Sequence, residues 1–386
     1  MNARQPAVGS AVRIDRDALE ALISAMNRRG YQVIGPTLKD SVIAYGEIRG
    51  VEDLPQGWTS DQSPGSYRLR RRDDDALFGY ATGPKSLKNF LHPSEIKLVA
   101  AERNNGSFHI LHNGSAAPRQ AFLGVRACEL AAAGVQDRVL IEDRFADPIY
   151  QERRRNSIII AVQCSDPSSV CFCTSMGTGP RAQRGFDLAL TEILDSGDHE
   201  FLVEVGTDLG AQLLAEIEYA SAADELLRKS EEISARAEDR IDRRFEKAGV
   251  AELLKDNFDH PQWTDVAARC LACGNCTMVC PTCFCVTVED SSDVTGDHAE
   301  RWRKWDSCFT LGFSYIHYGS VRLSTKSRYR QWLTHKLSYW HDQFGRSGCV
   351  GCGRCIAWCP VGIDFTKEVA AMRATAGVEE NKRGEE

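Results

Sequence analysis

No cysteine occurs before Cys128, and nowhere does the chain approach the roughly 18 consecutive apolar residues that a membrane span needs. The densest apolar run, Ile158 to Val162, has only the length of a strand. The opening stretch MNARQPAVGSAVRIDRDALE lacks the apolar centre of a secretory signal. These absences argue against secretion by that route and against a membrane span, and the expected compartment is the cytoplasm. No Gly-x-Gly-x-x-Gly fingerprint follows a strand, and no phosphate-binding loop, His-Glu-x-x-His or nucleophile elbow is present. A flavin or NAD site and substrate chemistry are therefore not expected of this chain. A net charge of −7 and a pI near 5.8 disfavour nucleic acid, whose phosphates need a broad positive surface. Arg70 to Arg72 and Arg153 to Arg155 read as solvated faces.

What the chain has is cysteine: 15 residues, unevenly spread. Cys128, Cys164, Cys171 and Cys173 lie mid-chain, and the other eleven fall between Cys270 and Cys359. Disulfides are disfavoured in a reducing compartment, so ligation of metal or cluster is the remaining reason for so many thiols. The shift in cysteine content also marks two regions. The chain reads as α+β. An N-terminal α/β domain covers 1–235, a linking helix 236–262, and a mainly α-helical ferredoxin domain with two [4Fe-4S] clusters 263–386. In the first region Arg16 to Arg29 has helical periodicity and stops at Gly30. Tyr31 to Ile34, Ser41 to Ile48, Phe122 to Val125, Ser157 to Val162 and Phe201 to Val205 read as strands, and Asp208 to Tyr219 as a helix. Ala222 to Lys247 reads as one long charged helix, and the charged tail Glu379 to Glu386 as a frayed end.

Two runs carry the strongest signal. They are Cys270-x2-Cys273-x2-Cys276-x3-Cys280-Pro281 and Cys349-x2-Cys352-x2-Cys355-x3-Cys359-Pro360. Each matches the bacterial ferredoxin pattern in full. Three cysteines at intervals of three wrap the backbone round one cube and aim N–H groups at its sulfurs, which stabilises the anionic cluster. Gly274 and Gly353 follow the second cysteines, where a left-handed or close backbone is expected. In two-cluster proteins the fourth cysteine ligates the other cluster. That assigns Cys270, Cys273, Cys276 and Cys359 to one cube, and Cys349, Cys352, Cys355 and Cys280 to the other. Zinc ribbons use paired knuckles rather than triple runs closed by Cys-Pro, so iron–sulfur is preferred to zinc. Between the runs, Glu300 to Lys304 and Arg328 to Trp340 read as helices, an arrangement that resembles the α-helical ferredoxins. Trp302, Trp305, Trp332, Trp340 and Trp358 are expected as apolar cover, by ordinary packing rather than a redox role. Arg322, Lys326, Arg328 and Arg330 either tune a nearby cluster, meet an acidic partner, or form a solvated face.

The weaker sets are less determined. Cys128 and Cys164 each follow a strand, and strand ends on one edge of an α/β sheet converge. With Cys171 and Cys173 they make a third [4Fe-4S] site the preferred reading over buried free thiols. Cys283, Cys285 and Cys308 are one short of a ligand set. Asp306 or His317 could complete them, or the three could simply pack beside the first cluster, the simpler reading. The likeness of Cys283-Phe284-Cys285 to Cys171-Phe172-Cys173 has no explanation at this level.

Taken together, these stretches resemble a known family. Gly124-Val125-Arg126-Ala127-Cys128-Glu129-Leu130, Cys171 to Gly177, Cys270 to Cys285, Trp305-Asp306-Ser307-Cys308-Phe309 and the second run are similar to the iron–sulfur β subunit of soluble, NAD(P)-linked [NiFe] hydrogenases of the sulfhydrogenase type. The corresponding iron–sulfur subunit of anaerobic sulfite reductase, a close relative, looks alike. His92-Pro93 departs from the aromatic-proline pair common there. The resemblance implies a non-catalytic electron-transfer subunit of an oxidoreductase complex. Its expected partners are hydrogenase small and large subunits and a flavin/NAD(P) subunit, or the corresponding sulfite or polysulfide reductase subunits. A structural or redox-sensing iron–sulfur protein is the reading from another class, but paired runs favour transfer, since a sensor needs one cluster.

Overall fold

The computed structural model describes residues 5–111, 117–142, 144–195 and 198–383. Its first half is built on an eight-stranded sheet. Across it the order is Ala220–Ser221, Ala11–Asp15, Asp198–Val205, Leu188–Asp195, Ser157–Val162, Gln120–Val125, Gln32–Lys39 and Val42–Glu47. The four strands from Leu188–Asp195 to Gln32–Lys39 run parallel to one another, and antiparallel strands close both sides. Gln120–Val125 is buried throughout, as a strand covered on both faces must be. Helix Arg16–Arg28 starts at the Asp15 cap, buries Leu19, Leu22, Ile23 and Met26, and ends before Gly30 at φ 79°. The other helix expected in this half is shorter, Asp208–Leu214, capped by Thr207.

The ends of the central parallel strands carry the chemistry. Gln120–Val125 leads into Arg126 and Cys128, and Ser157–Val162 into Gln163 and Cys164. The buried Arg126 guanidinium ties these ends together. It donates to the carbonyls of Gln163 (2.7 Å), Tyr80 (3.1 Å) and Phe78.

Three sequence expectations need correction. Glu300 to Lys304 is not helical; it lies inside strand His298–Trp305. That strand pairs with Val286–Ser292 and with Glu95–Asn104, far earlier in the chain, in a four-stranded sheet closed by Ser107–Leu111. Its charges fall on cross-strand partners: Lys304 pairs with Glu95 and Glu289, Arg301 with Asp290, and Glu300 with Lys97. Tertiary pairing overrides a composition that reads as helix. This sheet also joins residues assigned to separate domains. Second, the long linking helix stops at Asp239. Residues 240–247 are not helical, and they are held by Arg240 on Asp166 and Arg243 on Asp364, with Phe245 buried. Third, the tail is helical through Arg383, in Phe365–Arg383. Residues 384–386 of the expected frayed end lie outside the described residues.

Helices Val250–Asp256, Gln262–Arg269, Thr325–Thr334 and Trp340–Phe344, with Phe365–Arg383, surround the second half. A π-helical turn, His335–Tyr339, sits between the third and fourth. Their shared core contains Phe172 from the first half together with Phe245, Trp263, Trp332 and Phe365. Trp332 and Trp340 are buried cover as expected, whereas Trp302 and Trp305 lie in the four-stranded sheet. Arg328 and Arg330 do not form a solvated face. Arg328 donates to the Phe309 carbonyl (2.6 Å), and Arg330 to the Phe258 carbonyl while lying over the Phe258 ring.

His92 is 1% exposed, and neither ring nitrogen has a partner. Burial lowers its pKa from 6.5 to about 4. Between these values the unfolded chain binds a proton that the folded chain refuses, so stability falls as pH drops from about 6.5 to about 4. The loss reaches about 3 kcal/mol for this residue. The His92→Phe variant, which keeps the ring beside Trp305, is expected to remove this component. Urea midpoints at pH 7 and pH 5 check it. A midpoint difference unchanged by the substitution would count against it.

Candidate metal centres

Both ferredoxin runs turn through a left-handed glycine into a single helical turn. Gly274 (φ 73°) opens Asn275–Met278, and Gly353 (φ 74°) opens Arg354–Ala357. One step before the second cysteine, the backbone is again left-handed, at Ala272 (φ 52°) and Gly351 (φ 68°). The resulting curl aims N–H groups at sulfur. Ala272 N–H donates to Cys270 Sγ (3.4 Å), Gly351 N–H to Cys349 Sγ (3.5 Å) and Ile363 N–H to Cys359 Sγ (3.3 Å). The Asn275 side chain donates to the Trp358 carbonyl, which holds the two runs side by side.

Cys270, Cys273, Cys276 and Cys359 line one cavity. Its walls include Phe309, Tyr329, Trp332 and Phe365, and Cys355 also reaches it. Cys359 of the second run thus stands with the first three cysteines of the first, as crossed ligation requires. Cys280 conversely faces Cys349, Cys352 and Cys355. The mid-chain cysteines also converge: Cys128, Cys164, Cys171 and Cys173 line a cavity, which Cys352 shares. Among the described residues no three His, Cys, Asp or Glu side chains close on the position of one metal ion. The thiols line cavities instead, and the donor set of four sulfurs per wall is the chemistry that a four-iron cube takes. Burial pushes Cys128, Cys164, Cys171, Cys173, Cys270, Cys276, Cys352 and Cys355 up, and Cys349 to about 12, so uptake of iron there must release their protons.

The mid-chain loop is strapped to the second run. Phe172 N–H donates to the Gly351 carbonyl (2.9 Å), and Thr178 Oγ1 to the Val350 carbonyl (2.6 Å). A Cβ at Gly353 would lie 2.4 Å from the Val170 carbonyl oxygen, and one at Gly351 2.7 Å from the Phe172 backbone. Glycine at both positions is what lets the two thiol sets approach.

Sequence reasoning missed the buried cations. Arg354, between Cys352 and Cys355, forms an ion pair with Glu129 at 2.6 Å, with side chains 1% and 0% exposed. It also donates to the carbonyls of Gly83 (2.6 Å) and Lys85 (3.3 Å), while Glu129 accepts from Tyr45 Oη. Arg354 Nη1 is buried without a partner, beside Cys352. A donor so placed suits a ligated sulfur. Lys336, 6% exposed, donates to Thr282 Oγ1 (2.9 Å), Gly348 O (3.3 Å) and Cys280 Sγ (3.4 Å). The sequence signal for the ion pair is adjacency: Glu129 directly follows one candidate ligand, and Arg354 sits between two. His317 is exposed and remote from such contacts, whereas Asp306 lies beside Cys285.

Residues 269–363 match the model of the 4Fe-4S dicluster domain family. The chain is 31% identical over 346 residues to sulfhydrogenase 2 subunit beta of Pyrococcus furiosus, with 89% of this chain and 92% of that protein covered. No solved structure matches. Among the described residues no helix is long and apolar enough to cross a membrane.

Removing one partner of a buried pair strands the other charge, at about 3–5 kcal/mol. Glu129→Gln and Arg354→Met are each expected to destabilise the anaerobically purified protein by that order. The double variant should recover part of the loss. Guanidinium unfolding followed by near-UV circular dichroism reads all three. Additive losses would mean that the two side chains act independently.

Proposed function

The chain belongs to the family of sulfhydrogenase β subunits, and from that premise we propose that it is the electron-transfer subunit of a [NiFe] hydrogenase complex. It connects the hydrogenase small and large subunits with a flavin/NAD(P) subunit, and it carries no catalytic site of its own. The observation that supports this best is the continuity of the thiol sets. Cys355 borders the first cavity and also faces Cys349, Cys352 and Cys280. Cys352 in turn borders the third cavity. Shared residues thus connect three sets end to end.

In this reading Cys270, Cys273, Cys276 and Cys359 hold one [4Fe-4S] cluster. Cys280, Cys349, Cys352 and Cys355 hold a second, and Cys128, Cys164, Cys171 and Cys173 a third. Each cluster, once bound, supplies reversible one-electron chemistry. The protein's part is to hold, insulate and bias. Tyr329, Trp332 and Phe365 exclude water from the first cavity. Backbone N–H groups at Ala272, Gly351 and Ile363 stabilise negative charge on sulfur. Arg354 and Lys336 do the same from side chains in a medium of low dielectric. Cys273 is the exposed member of the first set, beside Leu271 at 64% exposure, which makes this edge a contact point for a redox partner.

The test is iron and acid-labile sulfide per chain on anaerobically purified complex, with nickel, siroheme and flavin measured in the same sample. At least about twelve irons and co-purifying nickel are expected. The Cys171→Ser/Cys173→Ser variant should lose about four of those irons. Unchanged iron in that variant removes the third cluster, and siroheme in place of nickel transfers the assignment to a sulfite reductase.

A further inference from the structure

Three thiols lie outside the sets above. Cys283 and Cys285 enter strand Val286–Ser292, and Cys308 follows strand His298–Trp305. The two strands are antiparallel neighbours, with Val286 opposite Trp305. The pairing continues one step further, because Asp306 N–H donates to the Cys285 carbonyl at 2.9 Å. Cys285 therefore stands opposite Asp306, with Cys283 two residues before the one and Cys308 two residues after the other. The side chains are close enough to interact electrostatically: Cys285 with Cys308 and with Asp306, and Cys283 with Cys285. All three thiols are free and partly buried. The Asp306 carboxylate accepts from the N–H of its neighbour Ser307 (2.7 Å), and among the described residues it enters no ion pair.

A second feature is independent of the thiols' spacing. Lys88 is 5% exposed, and among the described residues its Nζ meets no carboxylate. It donates to the carbonyls of Thr277 (3.3 Å) and Met278 (3.2 Å), and lies 3.8 Å from the centre of the Trp305 ring. Lys336, among the described residues equally without a carboxylate, already has Cys280 of the second set. A buried ammonium without an anion is unfavourable. The groups that Lys88 faces are the thiols of Cys283, Cys280 and Cys285 and a second cation, Lys336. Cys280 belongs to the second set and already serves Lys336, so ligated thiolates at Cys283 and Cys285 would add a negative charge beside Lys88 that neutral packed thiols would not.

We propose that Cys283, Cys285, Asp306 and Cys308 hold a further [4Fe-4S] cluster, with one iron carried by the Asp306 carboxylate. It adjoins the second set, since Cys283 lies directly against Cys280. The proposal deepens the relay reading and rests on it for its purpose, as a side branch or terminus of the wire, but its loading can be counted without any partner. It also accounts for the two Cys-Phe-Cys triplets. Phe172 and Phe284 each pack against aromatic neighbours, Phe172 on Phe245 and Phe365, Phe284 on Trp340. In each triplet the central ring is anchored by packing, which leaves the two flanking thiols free for a ligand.

The experiment uses the full chain reconstituted anaerobically with ferrous iron and sulfide. Cys283→Ser/Cys308→Ser should lower the iron content by about four per chain, and Cys171→Ser/Cys173→Ser by a separate, additive four. Asp306→Ala keeps three thiolates and removes the weakest ligand. After mild oxidation it should give a three-iron EPR signal that the parent protein lacks. Iron unchanged in Cys283→Ser/Cys308→Ser with no three-iron signal in Asp306→Ala would overturn the proposal, as would zinc in place of iron. If the double variant loses its fold, Asp306→Ala decides alone, since only a changed ligand yields the three-iron signal. A failure confined to Cys171→Ser/Cys173→Ser would strike the third cluster of the relay and leave this site standing.

Discussion

The arrangement depends on the buried pair between Arg354 and Glu129. Arg354 belongs to the second ferredoxin run, and Glu129 to the first turn of the helix that follows the central strand Gln120–Val125. Two charges at 2.6 Å and essentially out of water are costly to separate, so the contact fixes the run against the end of the sheet. The further bonds of Arg354 to Gly83 and Lys85, and of Glu129 to Tyr45, extend the clamp to a neighbouring loop and to the edge strand Val42–Glu47. Once that contact is made, Cys352 must border the cavity of the mid-chain thiols.

Around this clamp the protein concentrates buried positive charge. Arg126, Arg354, Lys88 and Lys336 are all under one-tenth exposed, and among the described residues only Arg354 of the four meets a carboxylate. Arg126 is satisfied by carbonyl oxygens at the strand ends. The two lysines look toward cysteine. In a medium of low dielectric such charges favour anionic over neutral partners. That is an expensive design for a scaffold of packed thiols and a natural one for thiolate-bound clusters. The same cations would also pull reduction potentials upward, because they stabilise the more negative, reduced form.

The four-stranded sheet has a related role. Strand His298–Trp305 is sequence-distant from Glu95–Asn104, yet their pairing brings Trp305 onto Lys88 and its indole N–H to the His92 carbonyl. The segment between the ferredoxin runs is therefore anchored to the first half of the chain rather than being a helical insert. A division at about residue 235 describes composition, whereas the packing interleaves the two regions: Phe172 enters the helical core, and Glu95–Asn104 pairs with the inter-run hairpin.

The sequence alone determined what is local. A cysteine every third residue, a glycine after the second cysteine and a proline after the fourth describe a backbone curl whose geometry is complete within a dozen or so residues. Strand Ser157–Val162 and helix Arg16–Arg28 were equally legible, because apolar runs and periodicity act over single elements. The tertiary structure alone decided which thiol sets are neighbours. The meeting of Cys352 with Cys171 and Cys173, the register that sets Cys285 opposite Asp306, and the strand state of Glu300 to Lys304 all depend on contacts between distant segments. Burial has the same origin. Lys88 and Lys336 are ordinary surface residues by composition, and only the packed chain removes them from water and gives their charge a consequence.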